Sequence, residues 1–151
     1  MKSLPGKIGS QDVNDCHDAC LHILSLSFPS FNLDKDNVFI TGGSHGGFLT
    51  CHLIGQFPGF YKAAATRNPV CNIASMVSVT DIPDWCYVEA GLPASTTGFT
   101  APSEEALVTM DRASPIAHVT RVKTPTLILI GAKDRRGMLK HPLTEAYLSP
   151  A

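Results

Sequence analysis

The stretch from residue 38 to residue 57 leaves this chain few folds. An apolar run, Val38-Phe39-Ile40, passes through Thr41-Gly42-Gly43-Ser44-His45-Gly46-Gly47 into a segment with helical periodicity, which Pro58-Gly59 ends. Only small residues, one serine and one histidine separate strand from helix, so the backbone must turn sharply between them. The alternation continues downstream. Residues 61–66 read as a short Ala-rich strand, and 126–130 (Thr-Leu-Ile-Leu-Ile) as a continuous apolar strand of the kind expected to be covered on both faces. Strands alternating with helices predict a parallel α/β sheet. Three strands are legible, fewer than a complete doubly wound sheet has, so the sheet reads as cut at both ends.

Residues 10–28 predict an amphipathic helix with Val13, Cys16, Cys20, Ile23, Leu24 and Phe28 on one face, Ser10 as N-cap, Asp12 in the first turn and Pro29 as the stop. Pro102-Ser103-Glu104-Glu105 opens another helix with Ser103 as its cap. Between them, from residue 67 to about residue 98, the sequence reads as irregular. The 151 residues suffice for one domain with a real core. A formal net charge of -1, with no basic patch, gives no reason to expect nucleic acid as a partner. No apolar stretch is long enough to span a bilayer, and residues 1–6 lack the apolar core of a signal peptide, so no membrane association is expected and the cytoplasm is the expected compartment. Five cysteines at irregular spacing (Cys16, Cys20, Cys51, Cys71, Cys86) do not make a disulfide framework and read mostly as small buried hydrophobes. Cys16 and Cys20 share a helix face, but His17 and His22 do not join them, so neither a metal nor another cofactor is expected.

Gly42-Gly43-Ser44-His45-Gly46 fits G-x-S-x-G, the nucleophile elbow of α/β-hydrolases. A serine hydroxyl is a poor nucleophile and needs a base, a group to orient that base, and donors for the oxyanion. The elbow raises Ser44 Oγ on a tight turn and aims the backbone N–H of His45 at the developing oxyanion. Gly42, Gly43, Gly46 and Gly47 are expected where side chains would collide with neighbouring backbone. The competing reading is a Gly-rich turn that happens to contain serine, and the strand before it and helix after it favour the elbow. The orienting acid should follow a later strand, as Asp134 does after 126–130 and the turn at Gly131. Its rivals Asp81, Asp84 and Asp111 follow no comparable strand, and its own alternative role is a turn or capping aspartate. The base is harder to find. His141 follows Asp134 too closely for a crossover and a further strand. The ring of His45 is expected to point away from Ser44 Oγ, His52 to be packed or half-exposed on the next helix, His17 and His22 to lie on the first helix, and His118 in a connector.

The segment 41–53, TGGSHGGFLTCHL, resembles the nucleophile segment of the acylaminoacyl peptidases of the prolyl oligopeptidase family. The likeness continues through Arg67-Asn68-Pro69-Val70, Asn72-Ile73-Ala74-Ser75-Met76, Thr80-Asp81-Ile82-Pro83-Asp84-Trp85-Cys86, Val88-Glu89-Ala90-Gly91, Ser114-Pro115-Ile116, Val122-Lys123-Thr124-Pro125 and Asp134-Arg135-Arg136, and upstream includes Ser3-Leu4-Pro5-Gly6 and Gln11-Asp12-Val13. It fades at residues 95–109 and from Gly137 onward. The resemblance implies an incomplete α/β-hydrolase fold, a parallel sheet flanked by helices and truncated at both ends, with residues 1–151 as part of a catalytic domain and no β-propeller. It implies a cytosolic serine peptidase acting on N-acylated peptides, with Ser44 as nucleophile, Asp134 as triad acid and the His45 backbone in the oxyanion hole. The family's histidine would lie past residue 151, so the isolated chain is expected to be impaired or inactive, as a truncated, spliced or degraded copy or a partial gene model would be. Association with full-length relatives is the partner expectation. The alternatives are a non-catalytic relic or interaction fragment, and an esterase of the same fold.

Overall fold

In a computed structural model that describes residues 4–28, 32–93 and 101–131, helix α1 (Gln11–Ser25) precedes strand β1 (Val38–Gly43), helix α2 (His45–Gln56) and strand β2 (Tyr61–Arg67). Short helices α3 (Ile73–Met76) and α4 (Pro83–Glu89), then α5 (Glu104–Arg112) and a 3-10 helix (Pro115–Arg121), lead to strand β3 (Thr126–Leu129). The sheet is parallel with order β1-β2-β3; Gly43 pairs with Arg67 and Arg67 with Leu129, so the three strands end side by side. Parallel neighbours require a crossover. Helix α2 is the crossover from β1 to β2, and the run from α3 to the 3-10 helix spans β2 to β3. Of its helices, α3 and α4 lie in the stretch that reads as irregular in sequence, being too short to show periodicity, whereas α5 is the helix that Ser103 is expected to cap. Two of them are capped by side chains: Asn72 Oδ1 accepts the Ser75 N–H at 2.8 Å, and Ser103 Oγ, as expected, accepts the Ala106 N–H at 3.2 Å.

Helix α2 is the hub. Residues 47–48 and 50–55 are buried, and it packs on β1, β2, the 3-10 helix and α1. Phe48 faces a cluster with Ile8, Ile73, Met76, Val77, Cys86, Ala90 and Met110; Leu53 and Ile54 face another with Val13, Tyr61 and Ala64. A helix apolar all round has to be buried all round. Glycine at 55 lets the 3-10 helix close in, since a Cβ there would lie 2.7 Å from His118 Cβ.

His52, buried on α2, links three segments. Its Nε2 lies 3.2 Å from the Ala113 carbonyl, and its Nδ1 is 2.9 Å from Gln56 Nε2, which also donates to the Gly9 carbonyl at 2.7 Å. The neutral tautomer with Nε2–H and bare Nδ1 satisfies both contacts. Burial pushes its pKa down to about 4.

Two expectations fail for packing reasons. Helix α1 buries Asp12, Val13 and His17, leaving Cys16 and Ile23 exposed. His17 stacks on Phe57 at 3.6 Å between ring centres and its Nδ1 lies 3.1 Å from Tyr61 Oη, and this aromatic contact sets the rotation of the helix. The helix ends at Ser25, with Leu26 extended, and Ser10 Oγ bonds the Lys7 carbonyl at 2.8 Å instead of capping a helical N–H. The second failure concerns β3. Leu127 and Leu129 are 58% and 50% exposed, and Phe39 of β1 is 67% exposed. Among the described residues only one face of the sheet is covered. The cysteines divide: Cys51 and Cys86 are buried as expected, Cys20 and Cys71 are half-buried, and Cys16 is exposed.

Two stability measurements follow. Ile54→Ala should lower the unfolding free energy by about 2–5 kcal/mol, whereas Leu127→Ala should change it by less than about 1 kcal/mol; denaturant titration distinguishes them, and equal losses would contradict the one-sided core. His52 sits below its ordinary pKa when folded, so the unfolded chain binds more protons between pH 6.5 and about 4. Its contribution is complete above pH 6.5 and is lost as pH falls, amounting to about 2 kcal/mol by pH 5. Denaturation midpoints that stay flat from pH 7 to pH 5 would contradict this.

Candidate active site

Ser44 belongs to both the sheet and the helix. Its N–H donates to the Arg67 carbonyl at 3.0 Å, extending the ladder of β1 on β2, and its carbonyl accepts the Phe48 N–H at 3.0 Å, the first bond of α2. Joining the two without a loop forces φ 55°, ψ −120° on a residue that carries a Cβ. Such a conformation costs on the order of 1–3 kcal/mol and persists only where its surroundings over-determine it. The serine is exposed at the C-terminal edge of the sheet.

The glycines around it serve different ends. A Cβ on Gly42 would collide with the Gly46 carbonyl and lie 2.8 Å from Thr50 Oγ1, so the strand end and the helix start touch backbone to backbone. A Cβ on Gly47 would lie 2.5 Å from Thr66 Oγ1 and 2.9 Å from Pro69 Cα. Gly46 corrects the sequence reading: a Cβ there would meet nothing within 4 Å, so collision does not explain this glycine. The Gly46 carbonyl is instead held by Thr50 Oγ1 at 2.9 Å.

His45 is the first residue of α2, directly after Ser44, so its N–H has no carbonyl to bond within the helix. Its ring stacks on Phe48 at 5.2 Å, meets the edge of Trp85 at 6.2 Å, and brings Nε2 to 3.4 Å from Asp12 Oδ2. Asp12 reads in sequence only as an acid in a helix's first turn; no local signal connects it to the serine turn. Among the described histidines, His17 and His52 are buried in the contacts already given, and His118 lies beside His52 at 5.4 Å between rings. No hydrogen bond joins any of them to Ser44 within the described residues.

Asp134 and His141 lie outside the described residues. The described chain runs to Gly131, and its course there is set by Asn68. This residue takes φ 43°, donates its N–H to the Leu129 carbonyl at 2.8 Å and accepts the Gly131 N–H on Oδ1 at 2.6 Å. Asn68 thus fastens the exit of β3 to the end of β2, next to the end of β1. Asp84 and Asp111 sit on α4 and α5, not after a strand. Among the described residues no group of three His, Cys, Asp or Glu side chains could hold a metal, and no helix is long and apolar enough to cross a membrane.

Comparison with known proteins agrees with this geometry. The Prolyl oligopeptidase family matches residues 1–146. The chain is 54% identical over 137 residues to the acylamino-acid-releasing enzyme of Arabidopsis thaliana, covering 90% of this chain and 17% of that protein. It is 48% identical over 134 residues to the enzyme of the same name from Homo sapiens, covering 89% and 18%. The chain therefore spans under a fifth of the length of these relatives. Among solved structures, the Pyrococcus horikoshii acylaminoacyl peptidase superposes with a TM-score of 0.77 at 22% identity, over 96% of this chain and 22% of that one. The fold is part of an α/β-hydrolase, as expected.

The two glycines of the motif should separate by mutation. Gly42→Ala should destabilise by more than about 2 kcal/mol, because the backbone it meets cannot move aside. Gly46→Ala should keep the fold and shift stability by at most about 1 kcal/mol, in the stabilising direction expected for alanine in a helix. Equal losses in thermal unfolding would contradict the contact assigned to Gly42.

Proposed function

We propose, from the premise that this chain belongs to the prolyl oligopeptidase family, that it supplies the nucleophile segment of a serine peptidase that releases N-acylated amino acids from blocked peptides. The observation that carries the reading is the backbone of Ser44, held at φ 55°, ψ −120° between a strand and a helix that leave it exposed. Relatives at 48–54% identity named acylamino-acid-releasing enzymes support the substrate class.

In this reading Ser44 Oγ attacks the carbonyl carbon of the scissile amide as a base takes its proton. The carbonyl oxygen becomes an oxyanion that accepts a hydrogen bond from the His45 N–H, reinforced by the positive end of α2. Collapse expels the amine with the proton, and water then hydrolyses the acyl–Ser44 ester. His17, His45 and His52 are held in the contacts given above and no hydrogen bond joins a described histidine to Ser44, so in this reading the base comes from outside the described residues. In this reading Asp134, three residues beyond the Gly131 that Asn68 holds, is the acid that orients it. The cytosol suits the described cysteines, which are free thiols.

The test is kinetic, on the intact protein with an N-acetylated peptide. Ser44→Ala should abolish labelling by a fluorophosphonate and lower kcat by on the order of 10^5-fold or more, and Asp134→Asn by about 10^3–10^4-fold. Turnover of acetyl esters with none of the acetyl-peptide would assign the site to an esterase; unchanged hydrolysis by Ser44→Ala would end the proposal.

A further inference from the structure

Asp12 is 9% exposed, at the start of α1, where the helix end favours a carboxylate. Its Oδ1 accepts the Val13 N–H at 3.0 Å. Its Oδ2 is shut away from solvent and has no hydrogen bond among the described residues. A buried carboxylate oxygen is costly unless a donor or a positive group faces it. What faces this one is His45 Nε2, at 3.4 Å.

The ring of His45 is therefore held from three elements: Asp12 on α1, Phe48 on α2 and Trp85 on α4. His45 follows the strained Ser44 directly. Fixing its ring restricts its side-chain and backbone torsions together, and so the peptide plane that carries its N–H. The turn at Ser44 is itself enforced by its strand and helix hydrogen bonds, so the ring contacts act on the residue that follows it.

We propose that Asp12 is a positioning residue: through the His45 ring it sets the direction of the His45 N–H that receives the oxyanion. The proposal rests on the oxyanion role given to that N–H above. Asp12 touches no substrate, so its loss reduces stabilisation of the transition state and leaves ground-state binding alone.

The experiment is a double-mutant cycle in the intact protein, with hydrolysis of an N-acetylated peptide as the readout. Asp12→Asn keeps an acceptor for the Val13 N–H and turns an amide NH2 toward His45. It should lower kcat about tenfold, part of the 10^2–10^3-fold that a whole oxyanion donor supplies, with KM within about twofold of the parent. His45→Phe should do the same, and the double variant should be no slower than His45→Phe alone. Additive losses, or a change in KM with kcat unaltered, would overturn the proposal. Should Asp12→Asn not fold, His45→Gln decides: glutamine can still donate to Asp12, so it should exceed His45→Phe in kcat by about fivefold, and equal rates would sink the idea. Ser44→Ala separates the premise. If it hydrolyses as fast as the parent, the underlying reading fails; if it is inactive while the cycle is additive, only the role of Asp12 does.

Discussion

The backbone contact between Gly42 and Gly46 is the constraint on which the rest of this structure depends. It lets the last residues of β1 lie against the first turn of α2, with a single residue between strand and helix. That residue then has no choice of conformation. Ser44 must satisfy the β2 ladder through its N–H and the helix through its carbonyl, and both bonds are made at 3.0 Å. Strain at Ser44 is thus local and enforced, balanced by the burial of the helix that follows it. The same geometry exposes the serine and leaves the N–H of His45 without a helical partner.

Helix α2 carries the consequence into the core. Its apolar side chains join two clusters that share little else, and His52 adds a polar link between the start of α1, α2 and the end of α5. A histidine this deep is stable only while neutral, so packing around the helix is coupled to pH although no hydrogen bond joins His52 to Ser44. The strand ends are aligned by a second local device, the left-handed Asn68, which binds β3 to β2 with one backbone and one side-chain hydrogen bond.

What could be read in the sequence was what is local. The strand–Gly–Ser–Gly–helix stretch declares itself because propensity, turn chemistry and motif agree over ten or so residues, and β1, α2 and β2 fall within a residue or two of where the pattern puts them. The short helices α3 and α4 were hidden, since four to seven residues show no period. The buried face of α1 departs from its apolar stripe because one aromatic partner of His17, Phe57, outweighs that stripe. Exposure of Leu127 and Leu129 could not be foreseen from an apolar run, which records what a strand tolerates on each face and not what lies there. The pairing of Asp12 with His45 depends on residues far apart in sequence, and Asp134 lies outside the described residues.

In the proposed reaction Ser44 and the N–H of His45 act as one unit. A crystal structure of the intact protein after reaction with an N-acyl peptidyl phosphonate tests it most directly. A phosphorus–oxygen bond is expected at Ser44 Oγ, with a phosphoryl oxygen about 2.7–3.1 Å from the His45 nitrogen. An adduct on any other residue, or one on Ser44 whose phosphoryl oxygens all turn away from that nitrogen, would contradict it.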